Sequence, residues 1–162
     1  MDLRVRPHEG IGPITFGASI RDTRRALAEP LRALGQGWAS VATFLKDPRR
    51  DSLPVDDYSS LGLHIYYRVD GAGVVCDGVE VFSPARPWYE DRDALSSPFG
   101  AVRSWLATRD PSLEVEVGSF TSRILGVAFY APAADEEPDL PAESLYVFPP
   151  GAMDRPLPPA DE

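Results

Sequence analysis

Apolar and polar residues alternate most regularly over 63–69, where Leu63, Ile65, Tyr67 and Val69 interleave with His64, Tyr66 and Arg68. A period of two sends the two sets to opposite faces of a strand. Asp70-Gly71-Ala72-Gly73 reads as a turn. Val74, Val75, Val79, Val81 and Phe82 resume a strand, with Asp77-Gly78 as a bulge or kink and Ser83-Pro84 as the stop. The pattern predicts an antiparallel hairpin.

Upstream, Ile14 and Phe16 alternate in a short strand over 11–16, and Pro13 suits an edge. Ser19 then caps a helix, with Asp22 placed to reach back. Ile20, Thr23, Ala26 and Leu27 form its apolar stripe, extended by Leu31 and Leu34. Pro30 is expected to end or bend the helix near Ala28, and Arg21, Arg24, Arg25 and Arg32 to lie on the wet side. Residues 38–45 suit a strand. Residues 47–51 and Pro54-Val55-Asp56-Asp57 carry loop signals, and Pro84 to Pro87 reads as a linker. A second helix is expected to start with Ser97 as N-cap and Pro98 at its first position. Phe99, Val102 and Leu106 share a face with Trp105 beside them, and Asp110-Pro111 is the stop. Leu113, Val115 and Val117 then alternate with acids, and 124–130 and 144–148 suit two more strands.

Three segments recur in the same order. Phe16-Gly17-Ala18 matches Phe99-Gly100-Ala101, the run Leu61 to Tyr66 matches Leu125 to Tyr130, and the run Val79 to Pro84 matches Leu145 to Pro150. The expected fold class is α+β: two helix-plus-antiparallel-hairpin repeats, about 10–84 and 88–150, forming a mainly antiparallel sheet covered by helices. The first repeat carries an insertion around 35–60. Residues 1–150 make one globular domain, and the Pro-rich acidic stretch 151–162 a mobile tail.

At 162 residues the chain can bury a sizeable core without staples. No apolar run approaches the roughly 20 residues of a membrane span, and 1–7 shows no apolar leader. With Cys76 as the one cysteine, these features point to the cytoplasm. Net charge is −9, unevenly spread: residues 1–50 carry +4 and 51–162 carry −13. Phosphate backbones should repel such a chain, so nucleic acid is not an expected partner, nor is a membrane. A protein with a basic surface is.

The run Gly10-Ile11-Gly12-Pro13-Ile14-Thr15-Phe16-Gly17-Ala18-Ser19, with its following helix, resembles the N-terminal signature of a group of small uncharacterised bacterial proteins. Ala18 stands where they usually carry Met. Their later Leu-Gly-Leu strand and hairpin ending in Phe-x-Pro are similar to Leu61–Pro84. Several are suspected immunity proteins of toxin systems. The duplicated helix-and-hairpin also resembles the tandem units of β-lactamase-inhibitor-protein-like domains. The resemblance implies protein binding rather than catalysis and transfers no functional residues.

Motifs for nucleotide, phosphate or acyl chemistry are absent from the sequence, and no metal or cofactor is expected. His8-Glu9 with His64 lacks helical ligand spacing. Asp56-Asp57 and Asp91-x-Asp93 read as exposed turn aspartates rather than as a glycosidase pair. Trp38 and Trp105 suit the core. The candidate partner-binding residues are Trp88, Tyr89, Glu90 and Asp91, an aromatic pair rimmed by acids, and Asp135, Glu136, Glu137 and Asp139 at the tip of the second hairpin. Trp88 closing over the core as a lid is the alternative. Tyr66, beside His64 and Arg68, offers an open polar-aromatic strand face. The expected function is a non-enzymatic acidic protein-binding module, in the resembled group an immunity protein neutralising a bacterial toxin. The alternative is a small-molecule-binding or hydrolytic domain with a pocket near His64, Tyr66 and Cys76, where Cys76 would be the nucleophile.

Overall fold

The computed structural model describes residues 1–35, 42–45, 54–71, 73–134 and 136–154, with backbone alone at 42–45 and Pro54. In chain order the strands are β1 (Asp2–Arg6), β2 (Gly10–Ile11), β3 (Ile14–Thr15), β4 (Ala42–Leu45), β5 (Pro54–Tyr58), β6 (Leu63–Asp70), β7 (Gly73–Phe82), β8 (Arg86–Tyr89), β9 (Arg92–Asp93), β10 (Glu114–Glu116), β11 (Ser119–Ser122), β12 (Val127–Tyr130) and β13 (Ser144–Val147). Helix α1 (Ile20–Ala33) follows β3, and α2 (Phe99–Ala107) follows β9. The architecture is mixed α and β. It has two mainly antiparallel sheets where a single sheet was expected.

The larger sheet has eight strands in the order β10-β11-β12-β13-β7-β6-β5-β4, all antiparallel. The smaller has five, β3-β2-β1-β8-β9, and its central pair β1–β8 is parallel. The proposed linker at 84–87 therefore runs into a strand: Pro87 and Tyr89 bury their side chains while Arg86 and Trp88 lie toward solvent.

The hairpin β6–β7 forms as the alternation predicts. Its register shifts between Tyr66 and Tyr67, which pair with Gly78 and Cys76, so Asp77 is the extra, bulged residue. The bulge lets Cys76 and Val79, three apart, both face inward with Leu63, Ile65 and Val81. One apolar cluster draws on both sheets and both helices: Leu3 of β1, Leu27 and Leu31 of α1, Val79 and Val81, Leu106 of α2, and Phe120 and Phe129 of β11 and β12. Each such large side chain stabilises the fold by roughly 1.5–3 kcal/mol on burial.

In α1, Ser19 Oγ accepts from the Asp22 N–H at 3.1 Å and donates to the Asp22 carboxylate at 2.8 Å. The helix does not stop at Pro30 but runs on to Ala33. Leu27 and Leu31, both buried, clamp the turn on either side of the proline, whereas Leu34 beyond the end is exposed. Arg24, at the border of the solvent face with its side chain 39% exposed, pairs with the buried Asp56 of β5. In α2 the N-cap is Pro98, one residue past the expected Ser97. Backbone carbonyls of Pro138 and Leu140 accept from the Gly100 and Phe99 N–H groups instead of a side chain.

The strand expected from Leu113 to Val117 is an exposed edge: Glu114 and Glu116 flank Val115, and Val117 is 87% exposed. Ile124 is also outside. Among the described residues, no helix is long and apolar enough to cross a membrane. Trp38, Asp135 and 155–162, with most of the proposed insertion, lie outside the described residues.

The matched segments take parallel positions. Gly62 and Gly126 have φ of +74° and +66°. Their carbonyls accept from the Phe82 and Phe148 N–H groups, each at 2.9 Å. Leu63 pairs with Val81 as Val127 pairs with Val147. The helices align one turn away from the sequence match. Phe16-Gly17-Ala18 precedes α1, whereas Phe99-Gly100-Ala101 lies inside α2. The stripe Ile20, Thr23, Leu27 instead corresponds to Phe99, Val102, Leu106. Ser19 and Pro98, each just before its helix, bridge to Val75 and Pro141.

Candidate functional site

Strand alternation leaves one face of the larger sheet outside the core. A single row crosses it from strand to strand: Thr121, Ala128, Tyr146, Glu80, His64 and Asp57 are successive cross-strand partners from β11 to β5. Neighbours in such a row stand close enough for side chains to interact. His64 lies between two carboxylates, with Nδ1 3.3 Å from Glu80 and Nε2 3.6 Å from Asp57, and its ring tilts against Phe82 at 4.7 Å. The Tyr66 hydroxyl donates to the same Glu80 oxygen at 2.7 Å.

Burial alone would raise the Glu80 carboxyl. Hydrogen bonds from Tyr66, Ser144 and His64 outweigh it and hold the group below the usual carboxylate range. Burial, with Glu80 as acceptor, pushes the Tyr66 phenol well above the ordinary tyrosine value, so it stays a donor. The Tyr146 ring meets Tyr66 edge-on at 5.5 Å and stacks near Phe148 at 5.6 Å. Its hydroxyl occupies the space over Gly78, where a Cβ would come within 2.1 Å. Around these groups lies an open trough of about 550 Å³, lined by Tyr66, Glu80, Ala128, Tyr130, Ser144 and Tyr146 among others, with Met153 at its rim.

The residues expected from sequence fall elsewhere. Trp88 is half-buried on β8, with the Arg86 guanidinium 5.3 Å from its ring centre, and it lines a shallow hollow with Asp2, Arg4, Glu90 and Asp91. Tyr89 is not presented to a partner: it is 4% exposed and meets Trp105 edge-on at 5.2 Å. Trp105 is only partly buried, and Arg92 and Arg109 stack on it. Glu90 occupies the β8–β9 turn with φ +52° and pairs with Arg109 at 2.8 Å. Glu136, Glu137 and Asp139 are exposed, in the connection that caps α2. The two predicted groups therefore flank opposite ends of α2, a helix about 13 Å long.

His64 and Tyr66 converge on Glu80, but Cys76 does not join them. It is buried on the core face, and burial pushes its thiol up to about 12. Asp56 corrects the turn reading: it is fully buried, bound by Arg24 at 2.6 and 2.7 Å and by the Tyr67 hydroxyl at 2.8 Å. Asp93 is also buried, held by Arg86 at 2.8 Å and by the Leu95 and Ser96 N–H groups. His8, at φ +62°, sets Nε2 2.5 Å from the Ile124 carbonyl.

Sequence reasoning singled out Tyr66 and His64 but missed Glu80, Tyr130 and Tyr146. Their positions in the alternation of β7, β12 and β13 mark them as outward-facing. The β6–β7 hairpin itself sets Glu80 beside Tyr66, and only the pairing of β7 with β13, and of β13 with β12, brings Tyr146 and Tyr130 to them. Comparison with protein-family models, with curated proteins and with solved structures finds no match to this chain.

Proposed function

We propose that this protein is a non-enzymatic acidic binding module of the bacterial cytoplasm, and that a protein partner docks on the outer face of its eight-stranded sheet. The observation that carries the reading is the trough, where tyrosine rings and small hydroxyl side chains surround an ionised glutamate on an open face. Tyrosine supplies large contact area at low entropic cost, and serine and threonine supply adaptable hydrogen bonds. The net charge of −9 favours a basic partner and speeds its approach. The Gly10–Ser19 signature supports the finer reading of an immunity protein whose partner is a toxin. The common register of β6–β7 and β12–β13 supports treating them as copies of one helix-then-hairpin unit. The burial of Cys76 on the other side of the sheet speaks against the hydrolytic pocket.

The test is to isolate the partner from the host and compare its affinity for the wild type, Thr121→Arg and Trp88→Ala. Loss with Thr121→Arg alone is expected. Loss with Trp88→Ala alone moves docking to β8 and overturns the outer-face reading.

A further inference from the structure

We infer that the trough receives the guanidinium of an arginine side chain presented by the partner, with Glu80 as its counter-charge; this rests on the outer face being the docking surface. Glu80 is the charged group among the described lining residues, and none of them is Lys or Arg. Its side chain is 29% exposed, so a ligand reaches it. A carboxylate offers about four lone-pair sites. The donors Tyr66, His64 and Ser144 therefore orient Glu80 without saturating it. Behind it stand His64 and then Asp57, so the row is net negative whether or not His64 carries a proton.

The walls select among cations. Tyr66, Tyr130 and Tyr146 line the trough, and the exposed ring of Tyr130 lets a flat, weakly hydrated guanidinium stack while it donates to the remaining site of the carboxylate; a compact ammonium keeps its water. Depth comes from the second hairpin. Ala128 holds the row position that His64 holds in the first, and Ser144 lies beside it. The first hairpin thus supplies the charge and the second the opening.

The full chain is titrated with N-acetyl-arginine methylamide and with its uncharged citrulline analogue, following backbone amide shifts by NMR. The arginine compound is expected to bind with a Kd on the order of millimolar and to move the amides of Glu80, Ala128 and Tyr146. The citrulline compound, or the Glu80→Gln variant, should bind about tenfold more weakly. Glutamine still accepts from Tyr66. Should that variant melt early, Ala128→Leu fills the floor, keeps the charge and should abolish binding. Equal affinity for both compounds, or unchanged binding by Glu80→Gln and Ala128→Leu, overturns the assignment. A several-fold gain in Arg155→Ala would name the chain's own arginine as occupant and overturn a partner's. If the partner requires the outer face but the arginine compound does not bind, the guanidinium assignment alone falls. If the compound binds and the partner ignores this face, the docking reading falls.

Discussion

Glu80 and Tyr146 face each other across β7 and β13, and the larger sheet repeats its register on either side of them. From Glu80 the next partner outward is His64, and from Tyr146 it is Ala128. One position apart in each direction, Val81 pairs with Leu145 and Val79 with Val147, and these four side chains are buried in the core. The same pair of strands thus joins the two hairpins inside and forms the trough outside.

The glycines that open β6 and β12 should respond alike to substitution. A Cβ on Gly62 would lie 2.1 Å from the Phe82 oxygen, and one on Gly126 2.4 Å from the Phe148 oxygen. Both also need a left-handed backbone. Gly71, at φ +57° with nothing within 4 Å of its Cβ, isolates the backbone cost alone. Gly71→Ala should destabilise by about 1 kcal/mol. Gly62→Ala and Gly126→Ala should each cost several times more, measured as urea midpoints. Three equal losses would mean that the two carbonyls move aside.

Asp56 of β5 is expected to be far more sensitive than an exposed ion-pair partner. Asp56→Ala leaves the Arg24 guanidinium and the buried Tyr67 hydroxyl without this acceptor; Arg24 can turn to water, but the loss of an acceptor for a buried donor costs about 1–3 kcal/mol. The exposed pair Arg25–Asp22, at 3.6 Å, provides the contrast: Arg25→Ala should cost less than about 0.5 kcal/mol. Chemical denaturation of both variants decides the point, and similar losses would refute the distinction.

Acid should weaken the fold through Asp110. This carboxylate is buried, which by itself raises its pKa, but bonds from Ser112 and Ser122 at 2.6–2.8 Å outweigh that and lower it. Glu80 and Asp93 are lowered in the same way. A group depressed on folding stabilises fully above its unfolded value, about 4, and the benefit fades as pH falls through the folded value. Urea midpoints should therefore hold from pH 7 to about 5 and drop below about pH 4. Asp110→Asn should start lower and fall less steeply; an equal slope would count against this residue.

The acidic connection before β13 is expected to tolerate charge reversal. Glu136 and Glu137 are exposed, and nearby carbonyls already satisfy the first N–H groups of α2. Glu137→Lys should cost about 0.5 kcal/mol, mainly through less favourable charge near a helix N-terminus. Its association with the isolated partner should slow at low salt and less so at high salt. A salt-independent on-rate equal to that of the wild type would make the segment a solvated loop.

The hairpin β6–β7, its bulge and both apolar helix stripes were legible because each is written locally, within one contiguous run of the chain, by spacing alone. Elements held by distant partners were not. β1 is polar at alternate positions but becomes a strand by pairing with β8, more than eighty positions on. β8 carries Pro87, a strand-breaking signal that an amide-independent position overrides, since Pro87 is buried opposite Leu3. Asp56 looks like a turn residue until Arg24 and Tyr67 are folded against it. The trough was half legible: Tyr66 and His64 lie in the clearest pattern, whereas Glu80 and Tyr146 meet only through the β7–β13 register.

The parallel pairing of β1 with β8 also sets a timetable for synthesis. Asp2 pairs with Arg86, so β1 waits for 84 further residues, roughly 4–17 s at cellular elongation rates of about 5–20 residues per second. The β1–β2 hairpin can close early, since Val5 and Ile11 are near in sequence. Its other edge stays unpaired, with Leu3 uncovered, until β8 emerges. A pause in translation just before Arg86 should therefore lengthen the nascent chain's exposure to chaperones and to edge-to-edge association, and a pause after β8 has left the ribosome should not.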